Sequence, residues 1–216
     1  MSDFFQVFGL ERKLGLDVAA LQRRFYELSR QWHPDFHQAA APAEQARALE
    51  ESARVNAAYR ALRDPISRVE YLIRLEEGRD TREGALVKPK APPELLVEMF
   101  EIQEALEDAR AGTLDDATRG ALRAQHEALA SRQAEGEAEL VGPLSRAWDD
   151  AAPGDRPAAL AALKEALATR AYLRTVIDDL GTALETSRDD EGRHGCAGAP
   201  RASGGMGGQV GAPHPD

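Results

Sequence analysis

The chain is predicted to fold as all helix, on three observations. Ala, Leu, Glu and Arg abound, whereas aromatic residues make up 6% and β-branched residues are sparse, a balance that favours helix over sheet. Apolar residues recur at three- and four-residue spacings through several long stretches. Pro34, Pro42 and a proline cluster beyond Gly78 punctuate those stretches where helices must start or stop. At 216 residues there is room for one or two domains, and the break in pattern near Gly78 favours two.

The first strong pattern spans residues 17–32. Val18, Leu21, Phe25, Leu28 and Trp32 recur at spacings of three, four, three and four, which is one helical face. Pro34 has no amide hydrogen and disfavours helical geometry at His33, so His33, Pro34 and Asp35 are expected in a loop that exposes an imidazole and a carboxylate. A second helix follows over about 42–62, with Pro42 in its first turn and Glu44 near the positive end of its dipole. The two form an antiparallel hairpin. Arg23, Arg24 and Arg30 project off the apolar face of the first helix and give it a basic surface, which suits either solvent or an acidic partner.

Residues 79–93 carry Gly and Pro without a sustained apolar period and are predicted to be a linker between a unit over 1–78 and another over 94–186. A helix restarts at Pro92 or Pro93 and runs to about Arg110. At about 100° per residue, Leu95, Met99, Ile102 and Leu106 form its core stripe. Leu96, Val97 and Phe100 fall off that stripe, on a sector shared with Glu101, Glu104 and Asp108. Apolar knobs among carboxylates fit a partner surface, or a second neighbouring helix of the bundle.

Two further helices complete a three-helix bundle. One covers about 115–148 with Leu122, Leu129, Leu140, Leu144 and Trp148, and is expected to be interrupted by Gly136 and Pro143. The other covers about 157–186 with Leu160, Leu163, Leu167, Ile177, Leu180 and Leu184. Tyr172 lies off the leucine stripe of the last helix and is placed beside Phe100 at a surface. From about Ser187 onward the chain is rich in Gly, Arg, Pro and Ala and is expected to be a disordered tail. That tail ends in a second His-Pro-Asp, residues 214–216, with no amphipathic helix on either side, and is read as chance.

Composition excludes several classes. No run of eighteen apolar residues exists and no secretory leader opens the chain, so a soluble, cytoplasmic protein without membrane partners is expected. The net charge is −10, which argues against nonspecific nucleic-acid binding. The first 78 residues hold 11 Lys and Arg against 12 Asp and Glu, so nearly all the excess acidity lies in the second half. Cys196 is the only cysteine, which excludes an intramolecular disulfide and a cysteine-built metal site; no metal and no cofactor are expected. No phosphate-binding loop of the GxxxxGK[ST] kind is present, so any ATP belongs to a partner, and no enzyme chemistry is expected of the chain.

The opening DFFQVFGL, the Arg-bearing helix, the His-Pro-Asp tripeptide, VNAAYRALRDP and ISRVEYLIRLEEG together resemble a J-domain, the module by which co-chaperones engage DnaK-class ATPases. With the acidic LLVEMFEIQEALED helix and two more helices behind it, residues 3–186 are similar to the HscB-type co-chaperones of bacterial iron-sulfur cluster assembly. The resemblance implies an N-terminal J-domain that docks an HscA-like chaperone through His33, Pro34, Asp35, Arg23, Arg24 and Arg30. It implies equally a C-terminal bundle that binds an IscU-like scaffold through Leu96, Val97, Phe100, Glu101, Glu104, Asp108 and Tyr172. Val97, Phe100 and Tyr172 depart in size or polarity from the family pattern. The absence of a cysteine-rich N-terminal extension favours a bacterial cytosolic form. A general DnaJ-like co-chaperone for unfolded clients, and a purely structural helical protein, are the alternative classes.

Overall fold

A computed structural model describes residues 3–78, 100, 102, 104, 107 and 115–194, with side chains through 185. Among these residues there is no strand, and no helix is long and apolar enough to cross a membrane.

A short helix α1, Phe4–Val7, leads into α2, Val18–Gln31. Asp17 caps α2 by accepting the amides of Ala19 and Ala20 at 2.9 and 3.0 Å. Leu21 is buried, and Phe25, Leu28 and Trp32 pack against the same core. Val18, expected on that face, is exposed; as the first helical residue it sits at the margin of the stripe and faces solvent. Pro34–His37 form one turn of 3₁₀-helix, after which α3, Pro42–Arg63, runs back along α2. Pro42 and Glu44 occupy the first turn of α3, as their chemistry dictates. Phe25 stacks on Tyr59 with centroids 4.0 Å apart, pinning the hairpin.

Asp64 ends α3 and caps α4, Pro65–Glu76, through the Ser67 amide at 2.8 Å. Val69, Tyr71, Leu72 and Ile73 of α4 are buried, and the Tyr71 hydroxyl accepts the Phe4 amide at 2.8 Å. Arg68 is buried with them, donating to the carbonyls of Leu62, Leu14 and Arg63. Burial pushes its guanidinium below the ordinary value, while Asp64 and Asp149 act in the opposite direction.

The C-terminal part is a long antiparallel pair. Helix α5, Asp116–Glu139, continues through a π-helical turn, Leu140–Leu144, into α6, Ser145–Asp150. Helix α7, Arg156–His194, packs back along it. One expectation from the sequence is corrected here and one holds. Gly136 does not interrupt α5, because its neighbours are good helix formers and carry the backbone through it. Pro143 does interrupt the α-helix, as expected: α5 ends at Glu139 and the chain widens into the π-helical turn around the ring, where Ser145 Oγ donates to the Leu140 carbonyl at 2.7 Å. Helix α7 runs on past the predicted end at 186 to His194, and the remainder of the expected tail lies outside the described residues.

Two apolar cores result. One joins Phe5, Leu21, Leu62 and Leu72 to Leu140, Trp148 and Leu163, so the near end of the α5–α7 pair is rooted in the N-terminal hairpin. The other, at the far end, gathers Ile102, Leu122, Leu129, Leu173 and Leu180.

Candidate functional site

The His-Pro-Asp turn stands at the end of α2. Pro34 forces His33 into an extended conformation, φ −66° and ψ 128°, and that geometry turns the imidazole back over the turn. His33 Nδ1 accepts the Asp35 amide at 3.3 Å and lies 3.5 Å from Asp35 Oδ2. A neutral ring that accepts at Nδ1 carries its proton on Nε2, so the donor faces away from the turn. Both side chains are exposed.

The turn is braced from behind by residues to which the sequence assigned no such role. His37 Nε2 lies 3.0 Å from the Gln31 carbonyl, one of the unpaired acceptors at the end of α2. Its ring stacks near Trp32, over which Arg47 places its guanidinium 5.6 Å from the centroid. Gln45 of α3 donates to the carbonyls of Gln38 and Ala40 at 2.9 and 3.0 Å, and Gln38 reaches Asp35 Oδ1 at 3.4 Å. Nothing in a hydropathy pattern marks these braces, since each is a polar side chain bonding to a backbone carbonyl, a carboxylate or a neighbouring ring.

Arg23, Arg24 and Arg30 are all exposed on α2. Arg24 is engaged with Glu27 at 2.9 Å, whereas Arg23 and Arg30 have no ion-pair partner among the described residues. The arrangement is a rigid, exposed imidazole–carboxylate pair on a basic helix. Such an exposed pair suits docking of a macromolecule.

At the far end of the bundle, Phe100, Ile102, Glu104 and Glu107 are helical. Ile102 is 3% exposed and Phe100 73% exposed, opposite faces of one helix, as the wheel required. Glu104 is exposed, and Tyr172 is half-buried against the Ile102 core. Leu96, Val97, Glu101 and Asp108 lie outside the described residues. The structure therefore brings Tyr172 to the same core as the helix that carries Phe100.

The DnaJ domain family model matches residues 3–71. The co-chaperone protein HscB homolog of Azoarcus sp. (strain BH72) is 33% identical over 187 residues, 85% of this chain and 96% of that protein. Among solved structures, the human co-chaperone HscB has the same fold, with a TM-score of 0.54 and 24% identity over 84% of this chain and 82% of that one. Chaperone HscB from Vibrio cholerae gives a TM-score of 0.48 and 27% identity, over 83% of this chain and 99% of that one.

Proposed function

Since the chain belongs to the HscB family of co-chaperones, we propose that it stimulates ATP hydrolysis by a DnaK-class, HscA-like chaperone and delivers to it an IscU-like scaffold of iron-sulfur cluster assembly. The observation that carries this reading is the braced, solvent-facing His-Pro-Asp turn at the end of the basic helix α2. His33, Pro34 and Asp35, flanked by Arg23, Arg24 and Arg30, dock the chaperone and favour its hydrolytic conformation. An effector shifts such an equilibrium only by binding one state more tightly than the other, and a rigid turn holds its groups ready for one geometry.

The scaffold occupies the opposite end. Phe100 supplies an apolar anchor and Tyr172 an aromatic edge, and on the family pattern Leu96, Val97, Glu101, Glu104 and Asp108 serve the same partner, the carboxylates selecting its basic groups. The chain contributes no bond-making chemistry. It works by holding two partners on one frame.

Steady-state ATP hydrolysis by the cognate HscA-like chaperone tests this, with the protein and the scaffold added separately and together. Asp35→Ala is expected to abolish stimulation without loss of fold, because the side chain is exposed. Phe100→Ala is expected to keep scaffold-free stimulation and lose the synergy with scaffold. Full stimulation by Asp35→Ala would refute the docking turn; stimulation indifferent to scaffold in the unaltered protein would move it to the general co-chaperone class.

A further inference from the structure

Two aromatic rings on α2 and the His-Pro-Asp turn stand largely in solvent, Tyr26 tilted on its neighbour Phe25 at 5.7 Å and accepting from Gln22 Nε2 at 3.2 Å. Phe36 is 69% exposed and Tyr26 60% exposed. The turn needs only the backbone of Phe36, whose amide donates to the His33 carbonyl at 3.0 Å, a bond any residue but proline supplies. Its ring instead meets the His33 imidazole edge-on, centroids 5.9 Å apart. Tyr26 sits one turn before Arg30 and three residues after Arg23, so Arg23, Tyr26 and Arg30 share a face of α2 that leads toward the turn. An exposed ring between open cations is the composition of an interface anchor with a charged rim.

We infer that Phe36, extended by Tyr26, forms the apolar part of the surface that docks the DnaK-class chaperone, and that the matching chaperone surface is acidic around an apolar recess. This rests on the docking role assigned above to His33 and Asp35. The occupant follows from continuity and charge. Phe36 is joined directly to Asp35 and lies against His33, so a partner covering those two groups covers the ring as well. Arg23 and Arg30 then face the partner's acidic side chains. The helix thereby recognises its partner by shape as well as charge, which a purely basic helix cannot do.

Full-length Phe36→Ala, Phe36→Leu and Tyr26→Ala variants, beside Asp35→Ala, are titrated into the ATPase assay with the cognate HscA-like chaperone, circular dichroism checking each fold. Phe36→Ala is expected to raise the half-maximal concentration about tenfold at an unchanged plateau, Tyr26→Ala about threefold, and Phe36→Leu is expected to restore most of the affinity. Asp35→Ala should instead lose the plateau. An unchanged half-maximal concentration in Phe36→Ala, beside an inactive Asp35→Ala, overturns the inference and leaves the docking turn standing; an active Asp35→Ala overturns the docking turn itself. Sedimentation that loses a dimer in Phe36→Ala, with stimulation intact, would assign the rings to self-association and also overturn the inference.

Discussion

Asp64 ends α3, and its side chain opens α4 by accepting the Ser67 amide, a bond that is strongest when the carboxylate is ionised. The Ser67 backbone hydrogen bond holds the carboxyl below its ordinary value, burial opposing it. A depressed carboxylate is more easily protonated in the unfolded chain than in the folded one. Its contribution is therefore complete above the unfolded value of about 3.9 and is lost as pH falls through the lower folded value. Asp64→Ala is expected to cost about 1 kcal/mol at neutral pH and less at pH 2, read as the difference in urea midpoints at the two pH values. A penalty of equal size at both would remove the charge from the explanation. Arg68, four residues on, shows where reading by residue type fails. Arginine is almost always a surface residue, yet here three backbone carbonyls around it make burial tolerable. Those carbonyls come from a loop and a helix end that only the folded chain brings together.

Elements were legible in the chain where periodicity and capping chemistry agree. Leu21, Phe25, Leu28 and Trp32 gave the inner face of α2, and Pro34 its end, because both signals are local. Ile102 inward and Phe100 outward followed from the same arithmetic. The middle helix was read less well at Gly136, since a glycine fixes only the cost of continuing, and packing against α7 decides whether that cost is met. Leu140, the first residue of the π turn, and Trp148 beyond it are buried and hold the widened segment in place. Gly136 lies within a regular helix, and a methyl group at its Cα would meet nothing within 4 Å. Gly136→Ala is thus expected to stabilise the protein by up to about 1 kcal/mol, through helix propensity alone. A higher midpoint in thermal or urea unfolding is the expected reading; a lower one would mean that α5 needs the freedom of glycine there.

The orientation of the N-terminal hairpin on the bundle is where the sequence is silent, because the contacts that set it lie far apart along the chain. Asp149, at the end of α6, accepts the amides of Leu14 and Gly15 with its two oxygens, both at 2.7 Å, across 135 and 134 residues. Lys164 of α7 pairs with Glu77 at the end of α4, and Leu140, Trp148 and Leu163 share the hairpin's own core. A carboxylate that grips two adjacent amides fixes direction as well as distance, which an apolar contact does not. Gly15 allows this approach: a Cβ there would stand 3.0 Å from Asp149 Oδ2. The proposed docking turn and the proposed scaffold face therefore belong to one frame, and a scaffold held at the far end is presented to the chaperone at a fixed position. Asp149→Ala removes both acceptors and is expected to lower stability by about 2 kcal/mol. The amides of Leu14 and Gly15 should exchange hydrogen faster, while those in the α2–α3 hairpin change only by the shared loss of stability. ATPase stimulation without scaffold should persist, since the turn is untouched, and the synergy with scaffold should fall as the two ends lose their fixed relation. Unaltered exchange at Leu14 and Gly15 would show that the apolar core alone sets the orientation.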